Sequence, residues 1–231
     1  MRLPDEEPPD RHQAGGERGG RAEAGRVAGV APRERNAPLL SAGYAPAFPE
    51  SPLDATDVRP VREALDGILE GHLPYPAVVA GPRGELVAAN AAFDVPAEGG
   101  DPELLEPPVN LLPLALHPRG MAPRMVNLDV WGRHIVENLR ARAARTPDPL
   151  LDALAEEPAG YVPPCAPDED CPGFAVALRL RCAEGELRLL TTLTSSATAV
   201  DVTLAELHLE AFLPADARTA QILRKRAAQR R

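Results

Sequence analysis

FAVALRLRCAEGELRLLTTLTSS, residues 174–196, alternates apolar with small or polar side chains through two runs joined by one turn. Phe174, Val176, Leu178, Leu180 and Cys182 form one set; Ala175, Ala177, Arg179 and Arg181 form the other. Glu184-Gly185 reverses the chain, and Leu187, Leu189, Thr191 and Leu193 resume the pattern. A period of two places one set on a buried face and the other in solvent, which predicts two adjacent antiparallel strands.

Further strands emerge on either side. Pro76–Ala80 and Glu85–Asn90 flank Gly-Pro-Arg-Gly, residues 81–84, and read as a hairpin. Asp201–Leu213 is apolar enough for a third late strand, but its periodicity fits a helix equally well. Between the early and late strands the sequence turns helical. A helix is expected from about Asp57 to Glu70, with Val58, Val61, Leu65, Ile68 and Leu69 on one face, Asp57 at its start and Gly71 at its end. Leu111–Leu116 is a short apolar segment broken by Pro113. Asp129–Arg145 is the longest helix, with Trp131, Ile135 and Leu139 at four-residue spacing, and Asp148–Glu157 follows with Leu150, Leu151 and Leu154 facing in. Two early strands, three late ones and helices between them predict an α+β fold, a five-stranded antiparallel sheet with helices on one face.

Composition narrows the function. Of 231 residues 44% are hydrophobic but only 3% aromatic, so the core is built from Leu, Val and Ala. Residues 1–38 balance seven arginines against seven acids, and residues 221–231 hold five basic groups and no acid. The body between them carries 13 basic and 27 acidic residues, a charge that repels phosphate and disfavours direct nucleic-acid contact. Any weak DNA affinity is expected from Arg224, Lys225, Arg226, Arg230 and Arg231. The start lacks the apolar stretch of a signal peptide, and no run approaches a membrane span; the cytoplasm is the expected compartment. Cys165, Cys171 and Cys182 suit neither a disulfide framework nor a zinc site, and read as plain thiols. No metal or cofactor is expected. No nucleophile elbow, P-loop or dinucleotide fingerprint is present, so catalysis is not expected either.

Four stretches carry a resemblance: PLLSAGYAPAFPESPLD (38–54), HLPYPAVVAGPRGELVAANAAFD (72–94), VNLLPLALHPRGMAPRMVNLDVWGRHIVENL (109–139) and GELRLLTTLTSSATAVDVTLAELHLEAFLPAD (185–216). In wording and order they resemble the MmyB-like ligand-binding domain, a PAS-like module that follows a Cro/XRE-type helix-turn-helix in bacterial transcription regulators. The resemblance implies a PAS-like five-stranded sheet, a cavity between sheet and helices for a small hydrophobic, fatty-acid-like ligand, and a transcriptional role. It also divides the chain into a disordered tail (1–37), a remnant or linker after a missing helix-turn-helix (38–56), the ligand-binding domain (57–216) and a basic C-terminal tail (217–231). The family has further helices before LLSAGYAP; here residues 1–32 lack apolar periodicity, so a recognition helix is expected to be absent, as truncation, frameshift or a misplaced start would produce.

Five side chains are candidates for the ligand. Arg124 could pair with a carboxylate bidentately, although a solvated loop arginine is the plainer reading. His117 lies in the same LALHPRGMAPR segment. Asn90 could bond a ligand or cap the next helix; Asn110 could bond a ligand or, like Asn127, satisfy turn backbone. Trp131 is either core or cavity wall. The aliphatic floor is expected from Val176, Leu178, Leu180, Leu187 and Leu189, and the cover from Leu112, Leu116, Ile135 and Leu139. The expected function is the ligand sensor of a transcription regulator. It would meet DNA only if a helix-turn-helix is supplied, and would pair as a homo- or hetero-dimer. The alternative is a DNA-free interaction module that pairs with intact paralogues.

Overall fold

A computed structural model describes residues 31–53, 55–145, 149–164, 176–195 and 201–230. Cys165, Cys171, Phe174 and Ala175, and residues 1–30 of the tail expected to be disordered over 1–37, lie outside these residues. Five strands, β1 (Ala77–Ala80), β2 (Leu86–Ala89), β3 (Leu178–Cys182), β4 (Gly185–Ser195) and β5 (His208–Pro214), form one sheet in the order β2-β1-β5-β4-β3. Every neighbouring pair is antiparallel. This is the α+β, five-stranded antiparallel sheet that the alternating sequence predicted, and the PAS-like arrangement that the resemblance implied. The ambiguous stretch from 201 to 213 is both things in turn: a short helix over Val202–Glu206, then β5.

Alternation along the strands sorts two apolar layers. Val78, Leu178, Leu180, Leu187, Leu189 and Phe212 join the main core. Ala77, Val79 and Ala211 point the other way and pack with Leu69 and Leu207. In chain order the helices are α1 (Pro32–Ser41), α2 (Arg59–Gly71), α3 (Asp94–Ala97), α4 (Pro102–Leu105), α5 (Leu111–Leu116), α6 (Leu128–Arg145), α7 (Pro149–Ala159), α8 (Val202–Glu206) and α9 (Ala217–Gln229). Most of the cover, including α5, α6 and α9, lies over the main core, whereas α2 packs Leu69 and Leu65 on the opposite face. A 3-10 turn, Thr56–Val58, leads into α2, with Val58 at the cap position. Val61 and Ile68 are exposed, so the apolar face of α2 is narrower than its spacing suggested. In α7, Leu154 and Ala155 meet Leu139 and Ala143 of α6, but Leu150, expected to face in, is exposed.

Both sheet edges are covered. Val126 donates to the Arg179 carbonyl, and Asn127 exchanges side-chain bonds with Ala177 and Arg179, closing the outer side of β3. Leu86 donates to Val109 O outside β2. Such cover removes the template that an open strand offers to another chain. In the β1–β2 hairpin, Gly84 adopts φ +84°, and an added Cβ would press on Asn110 and Leu112 at 3.0 Å.

Two terminal expectations need correction. Residues 32–37, assigned to a disordered tail, belong to α1. Asn36 is buried and binds the backbone of Ala47 and Phe48, while Arg33 pairs with Glu50 and Glu206. Pro38 is accommodated in the last turns, which close with Tyr44 N–H on Leu39 O around Gly43 at φ +78°. The chain then runs on against α8: Val202 N–H reaches Pro49 O at 2.8 Å, and Ser51 N–H reaches the buried Asp201 carboxylate at 3.0 Å. At the other end, residues 217–229 are not a free basic tail. They form the amphipathic α9, capped by Asp216, with Thr219, Ile222 and Leu223 buried. Arg226 pairs with Glu184 and Glu98, Arg230 with Asp94, and Arg224 donates to Tyr75 Oη. Of the five basic residues expected to attract DNA, Arg226 and Arg230 are therefore paired with carboxylates within the fold.

Candidate functional site

A cavity of about 680 Å³ opens between the sheet and α6. Its floor is the second half of β4 with β5: Thr191, Leu193, His208, Glu210 and Phe212. Its roof is α5 and α6, through Leu111, Leu112, Ala115, Val130, Trp131 and Ile135. Phe93, Met121 and Val176 complete the apolar walls, and Leu193, 65% exposed, stands at the mouth. A pocket of this size with mostly apolar walls and a few polar groups is the usual form of a small-molecule site.

The cavity lies further along the sheet than the sequence suggested. Leu178, Leu180, Leu187 and Leu189, expected as its floor, are fully buried against Leu114, Leu116, Ile222 and Leu223, so core packing fills that half of the sheet. Of the expected cover, Leu112 and Ile135 reach the cavity, Leu116 joins the core and Leu139 packs against α7.

Among the five candidate side chains Trp131 borders the cavity, and the other four are occupied elsewhere. Arg124 sits in a 3-10 turn and acts as a clamp on main chain. Nε donates to Arg181 O at 3.0 Å, Nη1 to Pro96 O at 3.1 Å and also to Glu98 O, and Nη2 to Val95 O at 3.1 Å. Glu98 is also its carboxylate partner at 3.6 Å, and burial lowers the guanidinium pKa from its ordinary value. These bonds tie the α3 region to the end of β3 and leave little for a ligand. Asn90 caps the 3-10 turn Ala91–Phe93 through Ala92 N–H; its oxygen also accepts from Ala77 N–H, and its amide donates to Leu69 O and Tyr75 O. Asn110 caps α5 through Leu112 N–H and donates to Arg83 O. His117 accepts from Arg119 N–H through Nδ1 and meets Tyr161 edge-on at 4.8 Å.

The polar groups that do line the cavity went unassigned in the sequence. His208 and Glu210 project from β5, with His208 Nε2 and Glu210 Oε1 3.2 Å apart. On the helical side, Arg133, His134, Glu137, Asn138 and Arg142 lie along α6. His134 Nε2 meets Asn138 Nδ2 at 3.1 Å, and Arg142 donates to Pro82 O. HLEAFLP (208–214) carried the signal: read as a strand, it sends His208, Glu210 and Phe212 to one face and Leu209, Ala211 and Leu213 to the other. Among the described residues, no group of three or more His, Cys, Asp or Glu is arranged to hold a metal ion, and no helix is long and apolar enough to cross a membrane.

A largely apolar cavity roofed by helices on a PAS-like sheet defines a binding module. The family model of the MmyB-like transcription regulator ligand binding domain matches residues 61–225, and the chain belongs to that family. The match reaches into α9, as does the packing. No curated protein matches the chain.

Proposed function

We propose that this chain is the effector-sensing part of a transcription regulator and holds a small hydrophobic, fatty-acid-like molecule between β4–β5 and α5–α6. The observation that carries this reading is the cavity of about 680 Å³ with its aliphatic and aromatic walls. Burying an alkyl chain yields about 0.8 kcal/mol per methylene, so the tail supplies most of the affinity and polar wall groups supply orientation. The acidic body and the internal pairing of Arg226 and Arg230 support a division of labour in which DNA contact falls to a separate helix-turn-helix.

Native mass spectrometry of the purified chain tests the reading. A mass increment matching one aliphatic amphiphile per cavity, co-purified or acquired from added dodecyl compounds, is the expected result. Absence of any bound aliphatic species across chain lengths and head groups would overturn it.

A further inference from the structure

The cavity has two unlike ends, and the strand register fixes which residues share each. β1 runs beside the β5 floor, Ala77 pairing with Ala211 at one end and Ala80 with His208 at the other. On the far side of β5, Thr191 of β4 pairs with Phe212 and Ser195 with His208. At the first end Phe212 N–H donates to Pro76 O, and the bond from Ala77 N–H to Asn90 sets the turn that carries Phe93 at this end too. Asn127 is bonded to Ala177 and Arg179, and Trp131 follows it by one helical turn, so α6 starts over the same end. At the second end α6 reaches the β1–β2 turn, where Arg142 donates to Pro82 O just beyond Ala80. Between the two ends Trp131, Ile135, Asn138 and Arg142 succeed one another on one stripe of α6, and β5 offers Phe212, Glu210 and His208 in the same order. Both walls thus pass from uncharged to charged, over about 17 Å of helix and about 14 Å of strand. Phe93, Met121, Trp131 and Phe212 are buried, whereas Leu193, paired with Glu210, is 65% exposed, and His134 and Asn138 are exposed and bonded to each other. Arg133 and Glu137 stand well over a quarter-turn around α6 from Trp131 and reach the cavity from its rim.

We infer that an aliphatic amphiphile lies along α6 with its tail end at Trp131 and Phe212 and its head group at Arg142 and His208. The inference rests on the cavity being a site for an aliphatic ligand, and assigns the two ends of that site. Methylenes gain most where the walls are aromatic and buried. A head group placed there would exchange water for the Trp131 indole N–H and the Thr191 hydroxyl, a poor replacement for the hydration of a charged or strongly polar group. At the other end the head keeps water and meets groups of both signs, Arg142 and Glu210 among them. The orientation therefore holds for a hydroxyl and for a carboxylate alike.

Trp131, the only tryptophan, reports which end of a ligand lies beside it. The full chain is titrated with dodecanol brominated at its terminal carbon, with dodecanol brominated at the carbon next to the hydroxyl, and with the two corresponding bromododecanoates. Calorimetry follows binding and fluorescence follows quenching. At saturation, terminal bromine is expected to remove most of the Trp131 emission, and bromine beside the head group to leave most of it, for the alcohol and the acid alike. Equal quenching from the two positions, or stronger quenching from beside the head group, would overturn the inference while leaving the cavity as the binding site. Binding by calorimetry with no quenching from either position would place the ligand elsewhere, and no binding at all would remove the aliphatic ligand; in both cases the proposed function fails along with the inference. The wild-type chain is used throughout.

Discussion

Asn90 shows how one polar side chain organises the start of the domain. Buried at the end of β2, it serves Leu69 O at the end of α2, Tyr75 O before β1, Ala77 N–H in β1 and Ala92 N–H in the following turn. Four main-chain groups from separate elements converge on one amide. Asn90→Ala removes all four bonds in a dry site, with only Leu69 O keeping another partner, His72 N–H, and is expected to cost about 3 kcal/mol of stability, read as a lowered urea midpoint with unchanged slope. Arg124 plays the same kind of part with a charge. Arg124→Ala is expected to lower the melting temperature while aliphatic ligands keep their relative affinities; a selective loss of carboxylate binding would contradict its clamp role. Both residues were conspicuous in the sequence as polar groups amid apolar stretches, but sequence could not say whether their partners were ligand atoms or main chain. That depends on which carbonyls the fold brings near, and Arg124 reaches Val95, Pro96, Glu98 and Arg181, all distant in the chain from one another or from it. Gly120 is a case that spacing did not reveal: a Cβ there would lie 2.1 Å from Leu114 O, so the turn after α5 tolerates only glycine.

At the scale of elements, strands were legible because a period of two survives in FAVALRLRC and GELRLLTTL without help from tertiary contacts. The cavity was less so. Leu178, Leu187 and Leu189 were correctly inward, but inward side chains may line a void or be packed solid, and only the positions of Leu114, Leu223 and Ile222 decide which. The same limit hid α9: its basic residues suggested a solvated tail, while Ile222 and Leu223, nearly two turns in from the Asp216 cap, anchor it to the core. Its ion pairs make a pH test. The Arg226 guanidinium beside Glu184 holds that carboxyl down at about 2, and the Thr219 backbone amide lowers Asp216 as well. A depressed folded-state pKa contributes stability that is present above the ordinary carboxylate range and lost as pH falls through the folded value. Stability is therefore expected to decline from about pH 4.5 toward pH 2. Arg226→Gln should flatten that decline in urea melts across the range, leaving the part due to Asp216 and to Glu186, which Arg179 holds below its ordinary value. A second element-scale test concerns α8, where Asp201 caps Leu204 N–H and accepts from Ser51 N–H. Asp201→Ala is expected to speed hydrogen exchange around residues 49–53 and leave β3 protected.

For the whole molecule, α1 and the stretch after it are fastened to α8 through Arg33, Pro49 and Ser51, and α8 leads directly into β5, where His208 and Glu210 face the cavity. The N-terminal segment and the cavity floor thus share one continuous piece of chain. The charge distribution is consistent with a sensing module, acidic over its body with its basic helix paired inward. Trp131, the only tryptophan, lies in the cavity wall and is 7% exposed, which provides a reporter at the site itself. The most direct measurement is Trp131 fluorescence during titration with a dodecyl alcohol brominated in its tail, bromine quenching only at close range. Occupation of the cavity predicts saturable quenching, displaced by unlabelled dodecanol. Binding detected by calorimetry without quenching, or quenching that never saturates, would contradict a ligand site between the sheet and α6.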